Sequence, residues 1–330
     1  MSHTSILSDI LCEVGEKTYP KLEGWVNEVF SDTLYGRAIE SIKLKEDYER
    51  ALFVFLGYQS LKKERENSID AMAALELLDS SLLIVDDIVD DAPRRKGKEA
   101  VHKSWGVGNA IILANMLKST SLLALLRSAE INNLDDKELR ELLNFFETTY
   151  NDMYIGEYLD LNYESMSFEE VSIDNYLEMI KRTTGIHFGM AIRTGGILAK
   201  SSKNILAMLW EIGVRLGTIL QIRDDFMDYI DDENITHKPA FGDFKRNKKR
   251  LPLILAYHFS PEKVRRLQYA LFDNSIKRDL QLLVSHTQIK NEALKIVNKI
   301  YTDTDDLINK IESSIVRQVL QEFSNLVRSL

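Results

Sequence analysis

Only one cysteine, Cys12, occurs in 330 residues. Neither a disulfide framework nor a cysteine metal site can therefore form within one chain. Five prolines and fifteen glycines are sparse punctuation for that length. No Ser/Gly/Pro-rich linker, low-complexity tract or clear repeat separates the halves, so one domain over 1–330 is expected. Basic residues are in deficit: 42 Lys and Arg against 51 Asp and Glu give a net charge of −9, which argues against a nucleic-acid partner. The N-terminus has no basic n-region followed by a long apolar stretch, and a secretory signal is not expected. No window of eighteen apolar residues is free of charge, so no membrane span is expected. A soluble cytoplasmic protein follows as the default expectation.

Strand-like alternation bounded by turn signals is equally scarce. Apolar residues instead recur at helical spacing almost throughout, which predicts an all-α bundle of roughly ten or more helices. Ser167 to Glu170 and Asp135 to Glu138 fit the capping-box pattern, and Ser260-Pro261 reads as a cap followed by proline at the first helical position. The segment Ile69–Val89 is apolar nearly all round, which predicts a buried central helix.

Against this background two acidic clusters stand out. The first is Asp86-Asp87-Ile88-Val89-Asp90, and the second is Asp224-Asp225-Phe226-Met227-Asp228. Both lie in apolar, helix-like surroundings, where an unpaired carboxylate is costly. The first and last aspartates of each are i and i+4 and share a helix face. Like charges at that spacing repel unless a cation holds them. Two such faces opposed across a cavity would make an oxygen-rich cage for Mg²⁺, and Mg²⁺ in turn implies a phosphate ligand. Cations follow each cluster: Arg94, Arg95, Lys96 and Lys98 after the first, Lys238 and Lys248 after the second.

The chain resembles the trans-isoprenyl (polyprenyl) diphosphate synthase family over nearly its whole length. The residues that carry the resemblance are Asp86 to His102, Gly156-Glu-Tyr-Leu-Asp160-Leu161, Thr184-Gly185, and Gln221 to Tyr229 followed by Lys238, Asp243, Lys248 and Leu251-Pro252. The resemblance implies an isoprenoid-synthase helical bundle around a central apolar cavity. It also implies a homodimer, and three magnesium ions clamping an allylic prenyl diphosphate. On that footing Asp86, Asp87, Asp90, Asp224 and Asp228 are the expected metal ligands. Arg95 and Lys238 would neutralise the departing diphosphate, and Lys248 lies in a loop that closes over it. Gln221 and Thr184 resemble the family's cation-stabilising groups.

The acceptor half departs from the pattern. Chain-elongating members bind isopentenyl diphosphate through basic residues. Here Asp47 takes a lysine position, Asp79 a histidine position and Thr183 another lysine position, while Arg50 is retained and Lys96 stands where an arginine is usual. Like charge in a partly dry site is costly, and Asp79 has the further reading of an ion pair with Arg50 or Lys96. Three functions stay open. One is elongation of the allylic diphosphate with isopentenyl diphosphate. Another is ionisation alone, as in a terpene synthase or cyclase, or transfer to an acceptor without a diphosphate. The last is a non-catalytic partner or binding role. Ser81 and Leu82 occupy the positions where a bulky aromatic limits product length in the family. Neither is aromatic, so a deep pocket and a product of about twenty to twenty-five carbons are expected.

Overall fold

The computed structural model of the chain describes residues 5–43, 47–61, 65–229 and 241–329. Its helices are α1 (Ile6–Val29), α2 (Asp32–Lys43), α3 (Glu49–Gln59), α4 (Ile69–Val89), α5 (Val101–Trp105), α6 (Val107–Ile131), α7 (Asp136–Ser165), α8 (Ile173–Ile180), α9 (Ile186–Leu198) and α10 (Lys203–Met227). They continue with α11 (Gly242–Lys245), α12 (Leu251–Phe259), α13 (Pro261–Gln268), α14 (Asn274–Val284), α15 (Thr287–Ile308) and α16 (Ser314–Val327). The only strands among the described residues are β1 (Arg94–Arg95) and β2 (Lys98–Glu99), an antiparallel hairpin. The all-α expectation holds.

The chain divides into two compact units. One comprises Met1–Phe146, Met190–Trp210 and Ile311–Glu322; the other comprises Glu147–Gly189, Glu211–Lys310 and Phe323–Leu330.

The first unit is organised by α4, whose bounds coincide with the apolar segment read from the sequence. It packs against α1, α3 and α6. A helix buried on nearly every side must satisfy its own polar residues, and α4 does so one by one. Asp70 accepts from Trp25 Nε1 at 2.9 Å and pairs with Lys21. Glu76 accepts from the Ala51 amide at 2.6 Å, in the first turn of α3. Tyr48, at the N-cap of α3, makes no side-chain capping bond. The α4 carboxylate therefore serves as that helix's cap from a neighbouring element. Ser81 donates to the Ala114 carbonyl of α6 at 2.7 Å. At Gly195 of α9 a Cβ atom would lie 2.0 Å from the Val54 carbonyl oxygen, so the approach of α9 to α3 requires glycine there.

In the second unit, α12 opens on Leu251-Pro252 and is buried along almost its whole length. Around it pack α13, α14, α15 and α8. Two of the expected helix starts are present. Asp135 accepts from the Glu138 amide at 2.8 Å while Glu138 accepts from the Asp135 amide, ahead of α7. Pro261 opens α13. The third moves: Ser167 and Glu170 close a turn rather than start a helix, because both Ser167 donors reach the Glu170 carboxylate. Helix α8 begins instead at a capping box of Ser172 with Asn175.

Two helices, α6 and α10, are long and apolar enough to cross a membrane by length and composition, with 44% and 56% of the relevant stretch buried inside the chain. The expectation of no span rested on charge-free runs, and both helices carry charge, α6 at Lys118, Arg127 and Glu130 and α10 at Lys203, Glu211, Arg215, Arg223, Asp224 and Asp225.

Replacing Gly195 with Ala is expected to lower unfolding free energy by roughly 2 kcal/mol or more through overpacking against backbone, as measured by urea denaturation.

Candidate functional site

Each acidic cluster ends a long apolar helix in its own unit. In the first unit, α4 ends at Val89 and Asp90 is its C-cap. The chain then reverses through the hairpin Arg94-Arg95/Lys98-Glu99. Its two central residues, Lys96 (φ 49°) and Gly97 (φ 75°), are both left-handed. That conformation matches the twist of a two-residue hairpin, and glycine at the second position makes it accessible. The tight turn carries Arg95 back onto the cluster. Arg95 Nε donates to both oxygens of Asp87, at 3.0 and 2.9 Å, and Nη2 donates to Asp87 Oδ1 at 2.7 Å and to Asp86 Oδ2 at 2.8 Å. Burial would lower the Arg95 pKa, but the two carboxylates outweigh it and the net direction is upward.

Asp87 is 3% exposed and turned inward to this guanidinium. Asp86 and Asp90 are half-buried on the adjoining face. Lys96, at the turn, lies 3.4 Å from Asp47. Arg50, half-buried at the start of α3, lies 3.4 Å from Asp79 and 3.2 Å from Glu49. Its pKa is raised: burial opposes the charge, and Asp79, Glu49, Glu76 and Asp47 together overcome that opposition. Of the two pairings read for Asp79, the structure has the one with Arg50. Ser81 is buried one turn and more before Asp86, with Leu82 half-buried beside it.

In the second unit, α8 passes into α9 through a π-helical turn, Lys181–Gly185. A wide turn of this kind carries one residue more than the α-helix and often marks a functional site. It is clasped by α7: a Cβ on Gly156 would lie 2.8 Å from the Thr183 amide nitrogen and from Arg182 Cβ. The turn presents Thr184, whose hydroxyl donates to Gln221 Oε1 at 2.6 Å. Gln221 Nε2 in turn donates to Asp225 Oδ1 at 2.7 Å. The two groups expected to act together are therefore hydrogen-bonded.

Asp225 itself is buried. It accepts from the Tyr176 hydroxyl at 2.7 Å, and burial pushes its pKa up to about 7, against the pull of Arg250. On the same helix Asp224 is exposed and Asp228 half-buried. The Asp228 oxygens accept from the amides of Gly242 and Asp243 at 3.2 and 3.3 Å, which ties the returning loop to the cluster.

The basic run after that loop is not a solvated face. Lys248, Lys249 and Arg250 are 2%, 0% and 8% exposed. Lys248 donates to Asp160 Oδ2 at 2.7 Å, and Arg250 reaches both Asp160 oxygens at 2.8 and 3.2 Å. Arg250 also lies 3.3 Å from Asp243. Burial raises the Asp160 pKa on its own; Arg250 and Lys248 reverse this, and the net direction is downward. Lys249 stacks over Phe168 at 5.0 Å, and burial brings its pKa down to about 8.

The sequence gives no sign of Tyr176; Asp225 stands in it within the second cluster, Asp160 within the resemblance without a role, and Arg250 within a short basic run that asks for a local explanation. That run stands immediately before the apolar helix at Leu251-Pro252. Lys238 lies outside the described residues.

The donor chemistry suits magnesium. Asp86, Asp90, Asp224 and Asp228 offer hard carboxylate oxygens on helix faces that are not fully buried. Among the described residues no three acidic or histidine side chains already converge as a metal cage. Asp86 and Asp87 share Arg95 instead.

Residues 37–285 match the polyprenyl synthetase family. The chain belongs to this family. Among its relatives is a geranylgeranyl diphosphate synthase of Saccharolobus solfataricus, 29% identical over 220 residues, a match covering 66% of this chain and 65% of that one. Another is a short chain isoprenyl diphosphate synthase of Methanothermobacter thermautotrophicus, 28% identical over 257 residues, covering 78% and 77%. The fold is also that of a geranylgeranyl pyrophosphate synthetase from Pyrococcus horikoshii, with a TM-score of 0.85, 25% identity and 98% of both chains covered. Membership makes the chain a prenyltransferase of the polyprenyl synthetase type and agrees with the all-α isoprenoid-synthase fold.

Asp160→Asn would leave Lys248 and Arg250 buried with less compensating charge. A loss of about 3–5 kcal/mol at pH 7 is expected. Because the folded-state pKa of Asp160 is depressed, its contribution is present above the unfolded carboxylate pKa and is lost as pH falls through the folded value. The stability gap between wild type and Asp160→Asn should therefore narrow below about pH 4 in urea titrations.

Proposed function

We propose that this polyprenyl synthetase ionises an allylic prenyl diphosphate and condenses the prenyl group with isopentenyl diphosphate, giving a product of about twenty to twenty-five carbons. The observation that carries this reading is that both aspartate motifs lie inside the matched span, each with its cation- or polar-bonded neighbours in place: Arg95 on the first, Gln221 and Thr184 beside the second. Relatives named geranylgeranyl and geranylfarnesyl diphosphate synthases support the product range.

Magnesium on the carboxylates of each motif, Asp86, Asp87 and Asp90 in the first and Asp224 and Asp228 in the second, would supply the positive charge that makes diphosphate a leaving group. The protein's own part is as follows. Arg95 and Lys238 are assigned the neutralisation of diphosphate oxygens, and Lys248 is anchored on Asp160. The oxygens of Gln221 and Thr184, held by their mutual hydrogen bond and by Asp225, face the cationic carbon. Apolar side chains keep water from that cation. Ser81 and Leu82 leave room for the prenyl tail.

A second reading, transfer to an acceptor without a diphosphate or internal cyclisation, has one observation in its favour. Arg50 and Lys96, the cations available to an acceptor diphosphate, stand 3.4 Å from Asp79 and Asp47 respectively.

We further propose one functional domain over the whole chain, a cytoplasmic location, and a homodimer formed along α6, where Ile111, Ile112 and Leu123 are 46%, 55% and 43% exposed.

The deciding experiment is incubation with Mg²⁺ and geranyl, farnesyl or geranylgeranyl diphosphate, each with and without isopentenyl diphosphate, with products read by mass spectrometry before and after phosphatase. A longer prenyl alcohol that requires isopentenyl diphosphate is expected. A hydrocarbon formed without it would favour the second reading, and chelation of Mg²⁺ should abolish either product. In the same assay Ser81→Phe should shorten the longest product by at least one isoprene unit, because the ring fills space beside the α4 face.

A further inference from the structure

The two most exposed large apolar side chains of the described residues sit two positions apart: Tyr269 and Leu271, 90% and 92% exposed, in the short connection between α13 and α14. Isolated apolar residues at a surface are ordinary. These two differ in how they are supported. Phe272, next to Leu271, turns inward to Phe241 and Phe244, with ring centroids at 5.8 and 6.0 Å. Gln268 donates to Asn247 at 2.7 Å. The connection is thus fixed from below at both ends while its tip is presented outward.

The surroundings are basic in a chain that is acidic overall. Lys245 is exposed and lies over the Phe272 ring at 4.6 Å, and Lys277 lies over Phe241 at 6.0 Å. From Pro261 to Leu280 there are five basic residues and three acidic ones, and of the five Arg265 is paired with Glu169. Asp279 pairs with Arg266, and Asp273 is engaged as the N-cap of α14.

We propose that this tip docks the protein on an anionic lipid bilayer, with Tyr269 and Leu271 entering the headgroup boundary and Lys245, Lys277 and Arg278 meeting lipid phosphates. An aliphatic side chain beside a phenol with a polar end, ringed by cations, is the composition of an interfacial anchor. The cations complement an anionic bilayer, and the outward Tyr269–Leu271 pair supplies the apolar part that a headgroup boundary accepts; a second copy of the chain is the alternative that the test below excludes. The proposal rests on the reading above in one respect: a prenyl diphosphate with a long tail partitions into bilayers, so an enzyme handling it gains by working at their surface.

The test is flotation of the full-length protein with vesicles of phosphatidylcholine alone or mixed with phosphatidylglycerol. Wild type should float with the mixed vesicles, more weakly as salt rises. The double variant Tyr269→Ser/Leu271→Ser should bind about tenfold more weakly or worse. Lys245→Ala/Arg278→Ala should lose about fivefold per residue on mixed vesicles only. All variants should keep wild-type turnover of a short, soluble allylic diphosphate, since none of these residues belongs to the catalytic machinery. Absence of flotation with either vesicle, or equal flotation of the Tyr269→Ser/Leu271→Ser variant, would overturn the proposal. So would concentration-dependent self-association that this variant abolishes, which would assign the tip to another copy of the chain. Failure to turn over any allylic diphosphate would sink the enzymatic reading and leave a positive flotation result standing.

Discussion

A carboxylate taken out of water among apolar helices must meet a cation or a set of donors from its own fold, and this structure is arranged around that demand. Asp87 meets Arg95, Asp79 meets Arg50, Asp160 meets Lys248 and Arg250, and Asp225 meets Tyr176 and Gln221. Removing one partner of such a pair costs far more than the pair contributes in net terms, because the survivor stays buried and uncompensated. The pairs therefore fix positions more than they add stability. Arg95 is held over the first cluster by Asp87, and Arg250 lies between Asp160 and Asp243.

The same accounting explains why the two acidic motifs, alike in sequence, are used differently in their interiors. In the first, the middle aspartate is tied to a guanidinium that also touches Asp86, so a positive charge lies directly against the cluster. In the second, the middle aspartate is hydrogen-bonded by the neutral donors Tyr176 and Gln221, with Arg250 Nε 3.9 Å away, and burial dominates its ionisation. Its hydrogen bond to Gln221 aligns the amide so that the carbonyl oxygen lies toward Thr184. A cluster with a cation bound to it is suited to holding an anion; one backed by oriented neutral dipoles is suited to a nearby positive charge.

Much of this was legible from residue pattern. The central helix showed itself because Ile69–Val89 is apolar on every face, and its aspartates stood out against that background. The aspartate motifs, Arg95, Gln221 and Thr184 are candidates read from spacing and resemblance. What escaped has a common cause. Tyr176 lies 49 residues from Asp225, and Arg250 lies 90 from Asp160, so nothing local marks them as partners. A run such as Lys248-Lys249-Arg250 looks solvated until the acidic partner is known. The capping signal at Ser167 misled for a simpler reason: the same pair of side chains that can open a helix can also close a turn, and five residues further on Ser172 offered a better start.

The π-helical turn at Lys181–Gly185 has a consequence for how this region can vary. Each residue of an α-helix advances the chain by about 100° around the axis. A π turn takes up its surplus residue within itself, so the helix beyond it keeps the phase it would have with one residue fewer. Deleting one residue of the turn would restore regular winding and remove the widening that presents Thr184 to Gln221, while leaving the start of α9 in phase. What the extra residue supplies is a local outward step of the backbone, not the heading of the helix that follows.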